Sequence, residues 1–276
     1  VTDLRSDELS GAPVVVVGER QDRPNLPTGD DCPFCVGGLE APDPYDVRWF
    51  LNRWPALGAG RCEVVLYSPD HEGTLWSADV RAVVDLWAER TAALGAHADV
   101  AYVLVFENRG TEVGATISHP HGQIYAFDRV PPVAAHELAL GSCPLCAEPD
   151  LPVVEQDGWR AWVPAAASFP YELVVAPARH LPDLPSLGDA DRDALAAVLA
   201  GALRRLDGVL GEPMPYMLWI HQRPTDGGDW PGAHVHVHVA GVKRAPGTLR
   251  FVAAGEVGSG VFFNPVRPED AAARLR

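Results

Sequence analysis

The chain has 276 residues, 47% of them apolar and 21% charged, a balance that fits one large or two modest globular cores and excludes a disordered or fibrous chain. A formal net charge of −15 argues against a nucleic-acid backbone as partner, because such a binder needs a basic patch to displace counterions; free nucleotides stay open, since a few local cations suffice for one diphosphate. No run approaches the roughly 18 uninterrupted apolar residues of a membrane-spanning helix, and Val1-Thr2-Asp3-Leu4-Arg5 carries no apolar signal core, so a cytoplasmic protein is expected.

In chain order, Cys32-Pro33-Phe34-Cys35 opens the first unit. Residues 61–66 read as a strand, Ser77 can cap a helix carrying Val80, Val83, Val84 and Trp87, and residues 101–106 read as the next strand. A Gly-containing loop over 107–114 follows, and then His119-Pro120-His121. Pro131 and Pro132 break any regular element between Phe127 and Ser142, which sets the boundary between a first half, 1–130, and a second, 131–276. The second half opens with Cys143-Pro144-Leu145-Cys146 and a strand over 172–176. A helix capped by Ser186 or Asp189 then carries Leu195, Val198, Leu199, Leu203 and Leu206, and a strand over 216–220 follows. The run His234-Val235-His236-Val237-His238 has the period of a strand, with the histidines on one face and the valines on the other. Strands flanking one helix per half predict an antiparallel α+β fold rather than a doubly wound sheet.

The cysteines and histidines recur in one order. Cys32, Cys35, His71 and His119 are answered in the second half by Cys143, Cys146, His180 and His234, with nearly the same gap from second Cys to lone His. Two thiolates and two imidazoles make a closed tetrahedral zinc site, so the first set is read as one. A core Cys pair with unrelated surface histidines is the bland alternative, and the duplicated order argues against it. A redox dithiol leaves the histidines unexplained. Five cysteines, with Cys62 outside both pairs, suit metal ligation in a reducing compartment better than a disulfide framework. His121 has a different part: a metal on His119 can anchor the strand while His121, on the same face, serves as a nucleophile. Gln123 beside it offers a neutral amide donor, suited to a step in which charge moves among phosphoryl oxygens, and the glycines of the 107–114 loop let backbone amides approach a phosphate.

Phe106-Glu107-Asn108-Arg109-Gly110 and His119-Pro120-His121-Gly122-Gln123-Ile124 resemble the galactose-1-phosphate uridylyltransferases of the histidine-triad superfamily. The resemblance extends over nearly the whole chain. The segment Val17-Gly18-Glu19-Arg20-Gln21-Asp22-Arg23-Pro24 resembles the one that supplies two phosphate-binding arginines, Arg20 and Arg23, and Asn52 in Leu51-Asn52-Arg53-Trp54-Pro55 resembles a uridine-contacting Asn. Ser68-Pro69-Asp70-His71 looks like the third zinc ligand in context, and the stretch from Pro215 to His221 and the tail with Arg250, Phe251 and Glu256 resemble those lining the sugar site.

The resemblance implies two fused histidine-triad-like repeats, a cytoplasmic homodimer and a double displacement. In it His121 attacks UDP-glucose to give glucose 1-phosphate and a uridylyl-histidine, from which galactose 1-phosphate leaves as UDP-galactose; Gln123 supports the transferring group, Arg20 and Arg23 hold phosphate oxygens, and Asn108 binds substrate. It also offers two sets for a second metal, zinc or iron. The family often uses a Glu and three histidines, here Glu137, His221, His236 and His238; a plant relative acting on ADP-glucose uses the equivalents of Cys143, Cys146, His180 and His234. Thiolates favour the latter for zinc, and His236 and His238 can also be inert remnants of the repeat. Arg53 stands where better-known uridylyltransferases carry an acidic residue near the ribose, which leaves base and sugar preference open. The runner-up reading is an ADP-glucose phosphorylase or another nucleotidylyltransferase; outside enzymes, it is a zinc-stabilised nucleotide-binding protein. A hydrolase fits less well, because Gln123 stands where those enzymes use a third His.

Overall fold

The computed structural model describes residues 3–18, 20 and 32–276. A short hairpin, β1 (Asp3–Ser6) and β2 (Pro13–Val16), precedes the main sheet. The first half contributes β3 (Arg48–Leu51), β4 (Cys62–Leu66), helix α1 (Val80–Gly95), β5 (Tyr102–Arg109) and β6 (His121–Phe127). Helix α2 (Pro132–Leu138) leads into β7 (Pro152–Gln156), β8 (Trp159–Trp162), β9 (Tyr171–Pro177), helix α3 (Asp189–Gly208), β10 (Tyr216–His221) and β11 (His236–Gly241). A hairpin of β12 (Lys243–Ala245) and β13 (Thr248–Leu249) and helices α4 (Ala254–Ser259) and α5 (Pro268–Leu275) finish the chain. No helix among the described residues is long and apolar enough to cross a membrane.

Nine strands form one antiparallel sheet in the order β3-β4-β6-β5-β10-β11-β9-β8-β7. Pairing β3 with β8, β4 with β9, β5 with β10 and β6 with β11 makes that order read alike from both ends, with β7 added at one edge. The two repeats are therefore joined along β5 and β10, where Tyr216 opposes Arg109 and Ile220 opposes Val105. This is the expected α+β arrangement of two histidine-triad-like units.

The period of two divides the sheet into unlike faces. On β6, buried Gly122, Ile124 and Ala126 alternate with half-exposed His121, Gln123 and Tyr125. The buried set joins Val65, Val103, Val105, Leu218, Val237 and Val239 in the main core, under α1 and α3. Helix α1 meets it with Val80, Val83, Val84, Trp87 and Leu94, the spacing of one helical face; α3 does so with Leu195, Val198, Leu199, Leu203 and Leu206. Arg81 ties the two helices through Asp85 of its own turn and Asp189 of α3, at 3.2 and 2.9 Å. On the other face a small apolar cluster of Phe34, Ala41, Val64 and Leu66 supports the first knuckle.

Local expectations needed three corrections. Ser77 does not cap α1: it closes a capping box with Thr74 on a preceding 3-10 turn, and Asp79 caps the helix by accepting from the Ala82 amide at 3.1 Å. Neither Ser186 nor Asp189 caps α3; Gly188 holds the cap position and Asp189 is already helical, where its carboxylate faces the positive end of the helix. The paired prolines also do not break all regular structure. Pro132 sits in the first turn of α2, where a missing amide hydrogen costs nothing.

Candidate active site and metal centres

The knuckle Cys32–Cys35, the lone His71 after β4 and His119 before β6 converge at one end of the sheet. His119 Nδ1 lies 3.8 and 3.6 Å from the Cys32 and Cys35 sulfurs, and His71 Nδ1 lies 3.4 Å from Cys35. A tetrahedral zinc with sulfur at about 2.3 Å and nitrogen at about 2.0–2.1 Å holds such atoms roughly 3.5 Å apart, so the donor set fits the ion. The tautomer fits too. His119 Nε2 donates to the Ser68 carbonyl at 2.7 Å, which leaves Nδ1 as the lone-pair nitrogen toward the thiols. Burial holds the His119 imidazole below its ordinary pKa and therefore neutral, the form a metal requires. Tyr45, not anticipated from sequence, braces this corner by donating to the Phe34 carbonyl at 2.7 Å; burial pushes its hydroxyl up to about 12.

The second half repeats this arrangement. His234 Nδ1 lies 3.2 and 3.7 Å from Cys143 and Cys146, His180 Nδ1 lies 3.4 Å from Cys146, and the Nε2 atoms of His234 and His180 each donate to a carbonyl, of Pro177 and Pro231, at 3.1 Å. A third set, Glu137, His221, His236 and His238, also gathers its donor atoms within 4.8 Å of one another. The two sets proposed for a second metal share no residue and are both formed. Burial opposes ionisation of Glu137, but hydrogen bonds with His221, at 2.7 Å, and His236 outweigh it and keep the carboxyl well below its ordinary range. His238 is half-buried, and both of its ring nitrogens are enclosed without hydrogen-bond partners, as a ring kept for a cation would be.

His121 begins β6. Its Nδ1 donates to the carbonyl of His119 at 2.7 Å, which assigns the lone pair to Nε2, and the Phe34 ring stands edge-on at 5.1 Å. The cysteine–histidine cluster and His121 are thus linked through the backbone carbonyl of His119. His236 makes the same contact with the His234 carbonyl at 2.7 Å, but Gln123 is replaced by His238 at the equivalent position. Gln123 Oε1 accepts from Asn52 Nδ2 at 3.2 Å and from Tyr125 Oη at 3.4 Å. With its oxygen so occupied, the side chain presents its amide hydrogens as donors.

These side chains face a cleft of about 350 Å³ lined by Phe34, Phe50, Asn52, Trp54, Ile117, His121 and Gln123, among others. Glu40 and Arg53 form an ion pair on its wall. Phe34, Phe50, Glu40, Thr116 and Ile117 were not singled out from sequence, although Phe34 lies inside the first Cys-x-x-Cys and Thr116 in the approach to the histidines. Arg20 lines an adjoining groove with Arg53 and Trp54; Arg23 lies outside the described residues. Asn108 sits near the end of β5, two residues past Phe106, which opposes Gln123, and so on the cleft side of the sheet. Arg250 and Glu256 are not in this cleft. They form a buried ion pair with each other, with Arg250 over the Phe169 ring at 4.6 Å, and Phe251 is exposed.

Gly122 is required by close approach. A Cβ there would stand 2.0 Å from Tyr67 Oη and 2.9 Å from its ring carbon Cζ. Gly122→Ala is expected to cost about 1–3 kcal/mol, as overpacking does. The check is the denaturation midpoint, which should fall clearly below wild type.

The sequence profile of the galactose-1-phosphate uridyl transferase N-terminal domain matches residues 54–131, and that of the C-terminal domain matches residues 144–276. Galactose-1-phosphate uridylyltransferase of Thermotoga maritima is 35% identical over 99% of this chain and 98% of its own length. The chain belongs to the galactose-1-phosphate uridyl transferase family. A solved structure described as a uridylyltransferase superposes with a TM-score of 0.88 at 30% identity, covering 99% of this chain and 96% of its own. An ADP-glucose phosphorylase from Arabidopsis thaliana, solved with bound ADP-glucose, superposes at 0.79 with 27% identity, covering 100% and 99%. The family is one of transferases, and one of its two matched domains falls in each of the repeats seen in the sheet.

Proposed function

We propose that the chain transfers a uridylyl group from UDP-glucose to galactose 1-phosphate through His121, with residues 1–130 carrying the reactive half and 131–276 its duplicate. The observation that carries this reading is the His121 imidazole, which lines the cleft with Nδ1–H on the His119 carbonyl and so keeps its lone pair at Nε2, beside a Gln123 amide fixed as donor. Nε2 attacks the α-phosphorus; the bond to glucose 1-phosphate breaks, and its electron pair leaves on the departing phosphate oxygen. The ring gains positive charge as the P–N bond forms, and the His119 carbonyl dipole stabilises that charge at Nδ1–H. A phosphate oxygen of galactose 1-phosphate then attacks the same phosphorus, the P–N bond breaks, and the pair returns to Nε2.

Gln123 supports the transferring oxygens, Arg20, Arg23 and Asn108 hold phosphate, and Asn52 contacts the nucleoside. Cys32, Cys35, His71 and His119 would hold a zinc ion, which would anchor the strand that carries the nucleophile. A second zinc belongs with Cys143, Cys146, His180 and His234, and Glu137 with His221, His236 and His238 is the alternative seat for a second metal, zinc or iron. Metal analysis decides between them: zinc content should fall by one ion in Cys143→Ala and stay unchanged in Glu137→Ala, and the reverse pattern would move the second metal to the Glu set.

A homodimer is supported by the exposed apolar run of Phe251, Val257, Phe262 and Phe263, which are 73%, 76%, 51% and 64% exposed. The cytoplasm suits thiols that must stay reduced.

Isotope exchange tests the reaction. With no galactose 1-phosphate present, labelled glucose 1-phosphate should enter UDP-glucose, because the first half-reaction is reversible by itself. Exchange with ADP-glucose but not UDP-glucose would replace this reading with a phosphorylase of the ADP-glucose type.

A further inference from the structure

Behind the catalytic strand lies a buried polar cluster that the reaction above does not use. Glu107 on β5 faces the helices and is only 3% exposed. Its Oε1 accepts from Tyr216 Oη at 3.0 Å, across the seam between the two repeats, while its Oε2 has no partner. Tyr67 Oη is buried beside the Trp87 indole, and it occupies the space beneath Gly122 that a Cβ would need. Continuing the β5–β6 register, in which Phe106 opposes Gln123, sets Glu107 beside Gly122.

We propose that Glu107 is a positioning residue: as a neutral acid it joins Tyr67 and Tyr216 in a polar floor under Gly122 that fixes the height of His121 and Gln123 over the cleft. The inference rests on transfer through His121. An ionised carboxylate enclosed here would lack solvent and a full set of donors, so the protonated form is the one the fold accommodates. Burial raises the Glu107 pKa to about 8, against the opposing effects of the Tyr216 hydrogen bond and the Arg109 charge. The other groups around it do not titrate near that pH. Tyr67 and Tyr216 are pushed well above 10 by burial and by Glu107, Arg109 is raised despite its burial, by its hydrogen bond to Asp207, and Asp207 is lowered despite its burial, by Arg109. Trp87 of α1, against the Tyr67 ring at 5.9 Å, carries no titrating group.

The test compares Glu107→Gln, Glu107→Leu and wild type. Gln keeps the shape and neutrality, so its kcat at pH 7 should stay near wild type; Leu keeps the volume without the polar floor, so kcat should fall about 100-fold with KM little changed, the loss expected of a misplaced reacting group. Wild-type kcat should decline as pH rises through about 8, and Glu107→Gln should lack that limb. Stability gives a readout that needs no substrate. Because the folded pKa lies above the ordinary 4.5, the folded state keeps a proton between 4.5 and about 8 that the unfolded chain releases; wild type therefore loses stability across that window, and the Gln variant does not.

Wild-type kcat in Glu107→Leu, or an unaltered alkaline limb in Glu107→Gln, would overturn the proposal. If Glu107→Leu does not fold, the Gln comparison across pH decides alone. A wild-type protein that exchanges no uridylyl group would instead sink the reading of His121, and the pH–stability difference would still report on the floor.

Discussion

Replacing His121 with Ala should abolish uridylyl transfer, lowering kcat roughly 10⁴-fold or more, while leaving the fold and zinc content unchanged. The size of the effect follows from covalent catalysis: without Nε2 no intermediate forms, and the remaining groups bind substrate without opening a second route. Fold should survive because the ring is half-exposed on the cleft face and contributes nothing to the core under α1 and α3. Its Nδ1 bond to the His119 carbonyl is lost, but His119 keeps its own anchors on Ser68 and the thiols. Steady-state kinetics beside thermal unfolding and zinc analysis checks all three parts. A variant with wild-type unfolding and near-normal kcat would remove His121 from the chemistry.

Cys35→Ala should lose the first zinc and with it roughly 3–5 kcal/mol of stability, the range of large effects that includes metal loss. Cys35 is the better choice of the pair because its sulfur lies near both His71 and His119, at 3.4 and 3.6 Å. Activity should fall as well, even though Cys35 does not line the cleft: the carbonyl that holds His121 belongs to His119, which a zinc in this cluster would pin. Cys62→Ala is the matched control. Cys62 is buried but belongs to no donor cluster among the described residues, so zinc content should stay unchanged and the cost should be that of a small cavity. Equal zinc content in Cys35→Ala and wild type would contradict the assignment.

The candidate site was legible where chemistry demands specific residue types in order. The duplicated Cys-x-x-Cys, His, His-x-His series placed both cysteine clusters, and the alternating histidines and valines of β11 gave the two faces of that strand, although it begins at His236 and His234 precedes it. Helices α1 and α3 were visible in their apolar spacing, but their caps were not. Thr74 draws Ser77 into its own turn, and Gly188 caps α3 without any side-chain bond, so composition alone pointed to the wrong residues. Edge strands β3 and β7 are short and partly exposed, which leaves little hydrophobic period to read. Long-range pairings were beyond sequence altogether. The Glu40–Arg53 pair on the cleft wall depends on how the knuckle loop folds against the segment after β3, and the Glu107–Tyr216 bond depends on how the two halves meet.

The most direct test of the central claim is to trap the intermediate. Purified protein is mixed with UDP-glucose in the absence of acceptor, digested under alkaline conditions, and mapped by mass spectrometry. One uridylyl group should appear on the peptide containing His121, in a linkage that acid cleaves and base does not, and be discharged by galactose 1-phosphate. A uridylyl group on any other residue, or an equal yield from the His121→Ala variant, would contradict the account.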